Sequence, residues 1–374
     1  MAKEINIISF NVPFPADYGG VIDMYYKLRE LKKAGIKIHL HCFHYGREKA
    51  GELELLCESV QYYKRKNYIA GNLSLLPYIV YSRSSDELAR NLLKNDFPIL
   101  FEGLHSCYLL SDKRFSNRVK IYRESNIEHE YYKNLGRTES NAFKKLFFFM
   151  EAWKLKHYEI NILNSALTLV VSEEDKKYLQ KEYPSLQVEF LPSFHPDESV
   201  FFTKEKENFI LYHGNLSVPE NYAAAIFLIE QVVPHSEHKF VFAGKNPPKL
   251  LIEAAKTKSN VSLIANPNFE EMQSLIRRAK INLLYTNEPA GLKLKLLNVL
   301  FNGGHCLVNP AMLSGTGLDG ACRIASSPEA ILQQIMELMN LEYTLEESID
   351  REKLLFPRFS NKANAEKLIR LVFP

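Results

Sequence analysis

The sequence predicts an α/β chain of two doubly wound parallel-sheet domains facing across a cleft. Three observations carry that expectation. The 374 residues exceed what one hydrophobic core usually holds. Short apolar runs rich in β-formers alternate with longer helix-period segments almost from end to end. The alternation then pauses in a stretch dense in proline and charge, FLPSFHPDESVFFTKEKEN, and restarts beyond it.

The first strand is INIISF (Ile5 to Phe10), followed by a loop with Gly19 and Gly20, an amphipathic helix from Val21 to Ala34, and a second strand from Ile36 to Phe43. Further strands begin near Pro98, Val119 and Ala166. After the pause come strands at Phe209–Gly214, Lys239–Gly244, Val261–Asn266 and Ile281–Thr286. The helices between them are expected at Glu220–Val233, Pro248–Lys256, Phe269–Ala279 and Leu292–Phe301. Strand, crossover helix and strand again is the pattern of a parallel sheet covered on both faces. The boundaries read as 1–198 for the first domain, 199–357 for the second, and 358–374 for a final helix that is a candidate to cross back to the first. In such sheets ligands bind at the carboxyl ends of the strands, where strand order reverses. Two such places suit an enzyme with two substrates.

Composition removes several classes. A net charge of +3 is too small for a nucleic-acid footprint. The start, MAKEINIISFNVPF, lacks the charged and apolar regions of a secretion signal, and no run is long and apolar enough to span a membrane. Five scattered cysteines without a CxxC pair read as reduced thiols of a cytoplasmic protein rather than a disulfide framework or a zinc site.

Several segments then fall in order. YGGVIDMYYKLRELKKAGIKIHL follows the first strand, RESNIEHEYY the strand at Val119, and VVSEEDKKYL closes the first half. In the second half GNLSVPEN follows FILYHG, FAGKNPP follows the next strand, and NEPAGLKLKLLN follows INLLYT. Together they resemble the retaining glycosyltransferases of the GT-B fold, a family with many bacterial mannosyl- and glucosyltransferases. The resemblance covers most of the chain. It implies two Rossmann-like domains, the first binding the acceptor and the second a nucleotide-sugar donor, GDP- or UDP-linked, with neither metal nor cofactor.

Carried over residue by residue, the resemblance places Glu288 beside the donor sugar and His129 as a polar contact from the acceptor domain, the two catalytic candidates. Gly19, Gly20, Gly214, Asn215, Lys245, Gly291, Leu292, Lys295 and Asn298 are the candidate donor-binding residues, and Ser125, Asn126 and Glu128 lie on the acceptor side. The chemistry agrees: glycines at a strand-to-helix turn let backbone approach a ligand, and a helix N-terminus offers N–H groups to a phosphate. Lys293 and Lys295 point about 200° apart on a helix, so at most one serves a phosphate. The chain departs from the family pattern at Ser125, where a histidine is usual, at Asn298, where a glutamate is usual, and in GNLSVPEN, which lacks the usual arginine and lysine.

Two signals are set aside. GTGLDG (Gly315 to Gly320) matches a dinucleotide pattern without the strand and helix that give the pattern meaning, and reads as a loop lining the cleft. KKLFFFMEAWKLKHYEINIL (Lys144 to Leu163) is apolar around nearly its whole circumference and reads as a helix buried between layers. Its flanking Lys144, Lys145, Lys154, Lys156 and His157 carry the other reading, a helix lying on an anionic membrane surface. The expected function is retaining transfer of a sugar to a saccharide or glycolipid acceptor in cell-surface polysaccharide assembly, in the cytoplasm and as a candidate peripheral membrane protein. The alternative is a catalytically silent binding protein of the same fold; an epimerase is disfavoured because no acid/base carboxylate pair stands out.

Overall fold

The structure is a computed structural model that describes residues 3–66, 74–139, 141–287 and 293–374. It divides into two compact units, Met1–Pro196 with Asn361–Pro374, and Asp197–Ser360. In the first unit the strands are β1 (Glu4–Ser9), β2 (Lys37–His44), β3 (Ser59–Lys64), β4 (Ile99–Glu102), β5 (Lys120–Glu124), β6 (Leu167–Val170) and β7 (Val188–Phe190). Its helices are α1 (Gly19–Lys33), α2 (Gly51–Glu54), α3 (Tyr78–Tyr81), α4 (Asp86–Leu92), α5 (Glu128–Thr138), α6 (Ala142–Leu163) and α7 (Glu173–Glu182). All neighbouring strands are parallel, in the order β3-β2-β1-β4-β5-β6-β7.

The second unit holds β8 (Glu207–Gly214), β9 (Lys239–Gly244), β10 (Val261–Ala265), β11 (Ala279–Leu284), β12 (His305–Val308) and β13 (Arg323–Ile324). Its helices are α8 (Pro219–Gln231), α9 (Lys249–Lys256), α10 (Phe269–Arg278), α11 (Leu294–Asn302), α12 (Pro310–Leu313), α13 (Pro328–Asn340) and α14 (Leu345–Phe359). The order β10-β9-β8-β11-β12-β13 repeats the first unit's topology. In both sheets the strand order reverses beside the first strand, between β1 and β4 and between β8 and β11.

Period-2 alternation explains why both faces of each sheet are covered. Ile5 and Ile7 of β1 enter one core layer and Ile8 the other. Phe209 and Leu211 of β8 likewise face away from Ile210 and Tyr212. Local chemistry sets several helix starts. Asn268 and Glu271 close a capping box on α10, Thr344 and Glu347 close another on α14, and Ser172 caps α7 through the Asp175 amide.

The proline-rich stretch is split between the units. Leu191 and Phe194 are buried in the first unit's core, while the Phe201 amide donates to the Phe301 carbonyl in the second. The chain then returns as α15 (Asn361–Val372). Asn361 exchanges two hydrogen bonds with the backbone of His195, and Ala365, Leu368 and Val372 pack with Met24, Leu28 and Leu31 of α1.

One expectation is overturned. The aromatic helix α6 is not buried between layers: Phe143 is 87%, Leu146 60% and Trp153 61% exposed. The residues it buries are Glu151, Ala152, Leu155, Glu159, Ile162 and Leu163. The reason lies in its two carboxylates. Glu151 accepts from the Tyr78 amide at 2.6 Å and pairs with Lys154 at 2.9 Å, and Glu159 meets His129. Satisfying those groups inside the unit turns the apolar stripe outward. GTGLDG is a turn with Gly315 and Gly317 at positive φ, held where Arg358 donates to the Thr316 carbonyl.

Candidate functional site

In the second unit the residues gather at the strand-order reversal. β8 ends in His213 and Gly214, and β9 ends in Gly244 alongside it. A Cβ on Gly244 would lie 1.9 Å from the Gly214 carbonyl oxygen, so the close approach of the two strand ends requires glycine there. Asn215 opens the following loop. Its side-chain oxygen accepts from Ser217 and its carbonyl accepts from Asn221 at 3.0 Å, so the loop is braced from within.

Lys295, in the first turn of α11, reaches this loop and donates to Asn221 Oδ1 at 3.1 Å. Burial pulls its ammonium down to about 8, with Glu220 opposing the shift and Lys293 adding to it. Glu220 bonds the Thr286 hydroxyl, and Thr286 exchanges two backbone hydrogen bonds with the Asn309 amide. His213 lies near Lys295. Its imidazole is held neutral, down to about 3, by burial and then by that cation, and its buried Nε2 finds no hydrogen-bond partner among the described residues. The arrangement is one partly desolvated cation, a neutral imidazole and a carboxylate at the end of a parallel sheet. Among the described residues no carboxylate forms a direct salt bridge with Lys295, and a desolvated ammonium of that kind is a ready anion contact.

Lys293 caps α11 rather than lying within it, so only Lys295 projects from the helical turn. Lys245 is exposed at the end of β9. Asn298 is directed elsewhere: its Oδ1 accepts from Gln273 at 3.0 Å and from Asn302 at 3.1 Å, in a polar seam between α10 and α11. Glu288, Gly291 and Leu292 lie outside the described residues.

In the first unit, α1 starts at Gly19 beyond the end of β1. Phe10 fills the space over Gly20, where a Cβ would sit 2.7 Å from the ring. Gly20 therefore serves packing at that turn. Arg123 of the RESNIEH segment is buried, donates to the Val170 and Leu191 carbonyls, and pairs with Asp23 at 3.5 Å. With Lys27 and Glu102 it forms an internal charge network that joins α1, β4 and β5.

Ser125 and Asn126 follow at the carboxyl end of β5, half-buried. Glu128 begins α5 and is buried. Its carboxyl is pushed up to about 8 by burial and then by Glu159, against the pull of Arg83. Glu124 is shifted the same way by burial and by Glu159, Asp175 and Glu128. His129 is buried with both nitrogens engaged, Nδ1 by Glu159 and Nε2 by the Tyr178 hydroxyl at 3.1 Å. It ties α5 to α6 and α7. His105, after β4, approaches Glu128 at 3.9 Å, and Arg83 donates to the Phe10 carbonyl at 2.8 Å.

Sequence reasoning missed His213, Glu220, Thr286 and Asn309 in one unit and Arg83 in the other. For His213 and Glu220 a signal existed, since they flank Gly214 and Asn221 in segments already singled out. Arg83 is brought in by the end of α3, and no local pattern marks it.

No family model matches the chain. An uncharacterised 44.6 kDa protein in the cps region of Klebsiella pneumoniae is 28% identical over 354 residues, covering 89% of each chain. Among solved structures, TarM matches at a TM-score of 0.73 with 12% identity, over 100% of this chain and 99% of that one. A TarM variant from S. aureus in complex with fondaparinux, α-GlcNAc-glycerol and UDP matches at 0.70 with 10% identity over both whole chains. WaaG, a glycosyltransferase involved in lipopolysaccharide biosynthesis, matches at 0.67 with 12% identity over 99% of each. The fold is the GT-B fold of glycosyltransferases: two Rossmann-like parallel-sheet units in one chain.

Proposed function

We propose that the protein is a retaining, metal-independent glycosyltransferase that moves a sugar from a UDP- or GDP-linked donor to a saccharide or lipid-linked acceptor. It would work in cell-surface polysaccharide assembly, in the cytoplasm and peripherally at the inner membrane face. The observation that carries the reading is Lys295, a half-buried cation braced by Asn221 at the strand-order reversal of the second unit. In this proposal Lys295, the start of α11 and the preceding Gly291 and Leu292 hold the donor diphosphate. Gly214 and Gly244 bring backbone close to it, and Glu288 orients the sugar. The first unit presents Ser125 and Asn126 to the acceptor, with the buried Glu128 behind them and His129 positioning α5. Preorganised cations and helix ends stabilise a departing diphosphate through electrostatics. The cps-region relative and the UDP-bound TarM structure support the substrate class.

A second reading, binding without transfer, is favoured by two observations. The Asn298 side chain is committed to Gln273 and Asn302, and Glu220 places a carboxylate near the proposed phosphate site. The test is a melting-temperature screen against UDP, GDP and their sugar conjugates, followed by a donor-turnover assay with the nucleotide that binds. A ligand at 100 times its Kd adds roughly 2.7 kcal/mol, a visible shift. Binding with turnover supports transfer, binding without turnover supports the silent reading, and no binding at millimolar nucleotide refutes both nucleotide roles.

A further inference from the structure

The exposed face of α6 has a composition that the proposed catalysis does not use. Phe143, Leu146, Met150, Trp153 and Ile160 recur at spacings of three, four and seven, and all are exposed, with His157 completing the stripe. At 100° per residue they form one arc, which Phe149 widens on one side. Lys145 and Lys156 lie along the same edge of that arc. Both carboxylates of the helix, Glu151 and Glu159, are on the opposite, buried side. The outward face is thus apolar with a basic border and carries no acid. From Phe143 to Ile160 it extends about 26 Å along the axis at 1.5 Å per residue. No helix among the described residues is long and apolar enough to cross a membrane.

We infer that α6 docks the protein on an anionic lipid bilayer, with the stripe entering the headgroup–acyl boundary and Lys145 and Lys156 meeting lipid phosphates. Charge selects this occupant. In a two-fold pairing with a second copy the face would meet itself, bringing its lysines and His157 together with no carboxylate to receive them. A flat anionic surface instead matches both the length of the stripe and its border. This deepens the membrane-face part of the proposed function. Its readout is binding rather than turnover, so either can fail without the other.

Trp153 is the chain's single tryptophan, so the face carries its own reporter. Intact protein is titrated with vesicles of phosphatidylcholine alone and of phosphatidylcholine with phosphatidylglycerol, reading Trp153 emission and co-sedimentation. The expected result is a blue shift and sedimentation with the anionic vesicles, weakened by salt. The double variant Lys145→Gln, Lys156→Gln should lower partitioning roughly 30-fold, from about 1 kcal/mol per lysine. Leu146→Gln should lower it by at least about 10-fold, since a buried leucine contributes some 1.5–3 kcal/mol. Both variants alter exposed positions, and an unchanged melting temperature verifies their fold. Equal partitioning to neutral vesicles, or none to either, overturns the inference. So does a solution dimer that Leu146→Gln dissociates while vesicles leave Trp153 emission unmoved.

Discussion

Replacing Lys295 by methionine, which keeps an unbranched chain of similar length, separates a ligand-binding role from a structural one. Burial lowers the Lys295 ammonium from 10.5 to about 8. Holding it charged at pH 7 therefore costs the folded protein on the order of 3 kcal/mol. The hydrogen bond to Asn221 at 3.1 Å returns part of that, about 1–2 kcal/mol. Lys295→Met should leave the ligand-free protein as stable as before or more stable by up to about 2 kcal/mol. The same change removes a charge-assisted contact to a diphosphate, about 1.5–3 kcal/mol, so nucleotide affinity should fall roughly 10- to 100-fold. The sign with pH follows. Because the folded-state value is depressed, the free protein gains stability from this residue as pH rises from about 8 toward 10.5, while nucleotide affinity falls over the same window. Melting curves with and without UDP and GDP from neutral to alkaline pH read both quantities. A variant that loses free-state stability yet binds nucleotide as tightly as the parent refutes the assignment.

Three further predictions concern the units separately. Glu128→Gln should flatten the loss of first-unit stability with pH: the carboxyl's raised value, about 8 against 4.5, gives stability that is full below 4.5 and lost as pH climbs through 8. Its size is on the order of a few kcal/mol, read by denaturant titration across that range, and an unchanged slope would remove Glu128 as its source. Gly244→Ala should destabilise the second unit by about 3 kcal/mol or more, because its methyl would lie 1.9 Å from the Gly214 carbonyl oxygen; a melting temperature within a degree or so of the parent counts against that strand geometry. Leu368→Ala in α15 should cost about 2–5 kcal/mol through the first unit's core, and hydrogen exchange should rise in α1 before any element of the second unit.

Much of the fold was legible because strand and helix periods are local properties. INIISF and FILYHG each carry their own alternation and became β1 and β8. The switch-point segments were legible for a related reason, since GNLSVPEN and NEPAGLKLKLLN follow directly on the apolar runs FILYHG and INLLYT. β3 and β7 were not marked. SVQYYK mixes polar and aromatic residues, and VEF is only three residues long, so neither rises above its neighbours until a sheet edge receives it. His105 and Glu128 meet because β4 and β5 are adjacent, a pairing that no window of sequence spans.

The sequence by itself determined the two α/β units, the place between them where the pattern breaks, and that at most one of Lys293 and Lys295 could face a ligand. All of these rest on period and on neighbours a few residues away. Only the tertiary structure decided that Asn298 faces Gln273, that His129 spends both nitrogens on Glu159 and Tyr178, and that the aromatic helix α6 turns its stripe outward. A helix that is apolar nearly all round does not announce which side the protein will cover. In α6 that choice rests on Glu151 and Glu159: buried carboxylates require partners, their partners come from α3 and α5, and the remaining face is left to whatever lies outside.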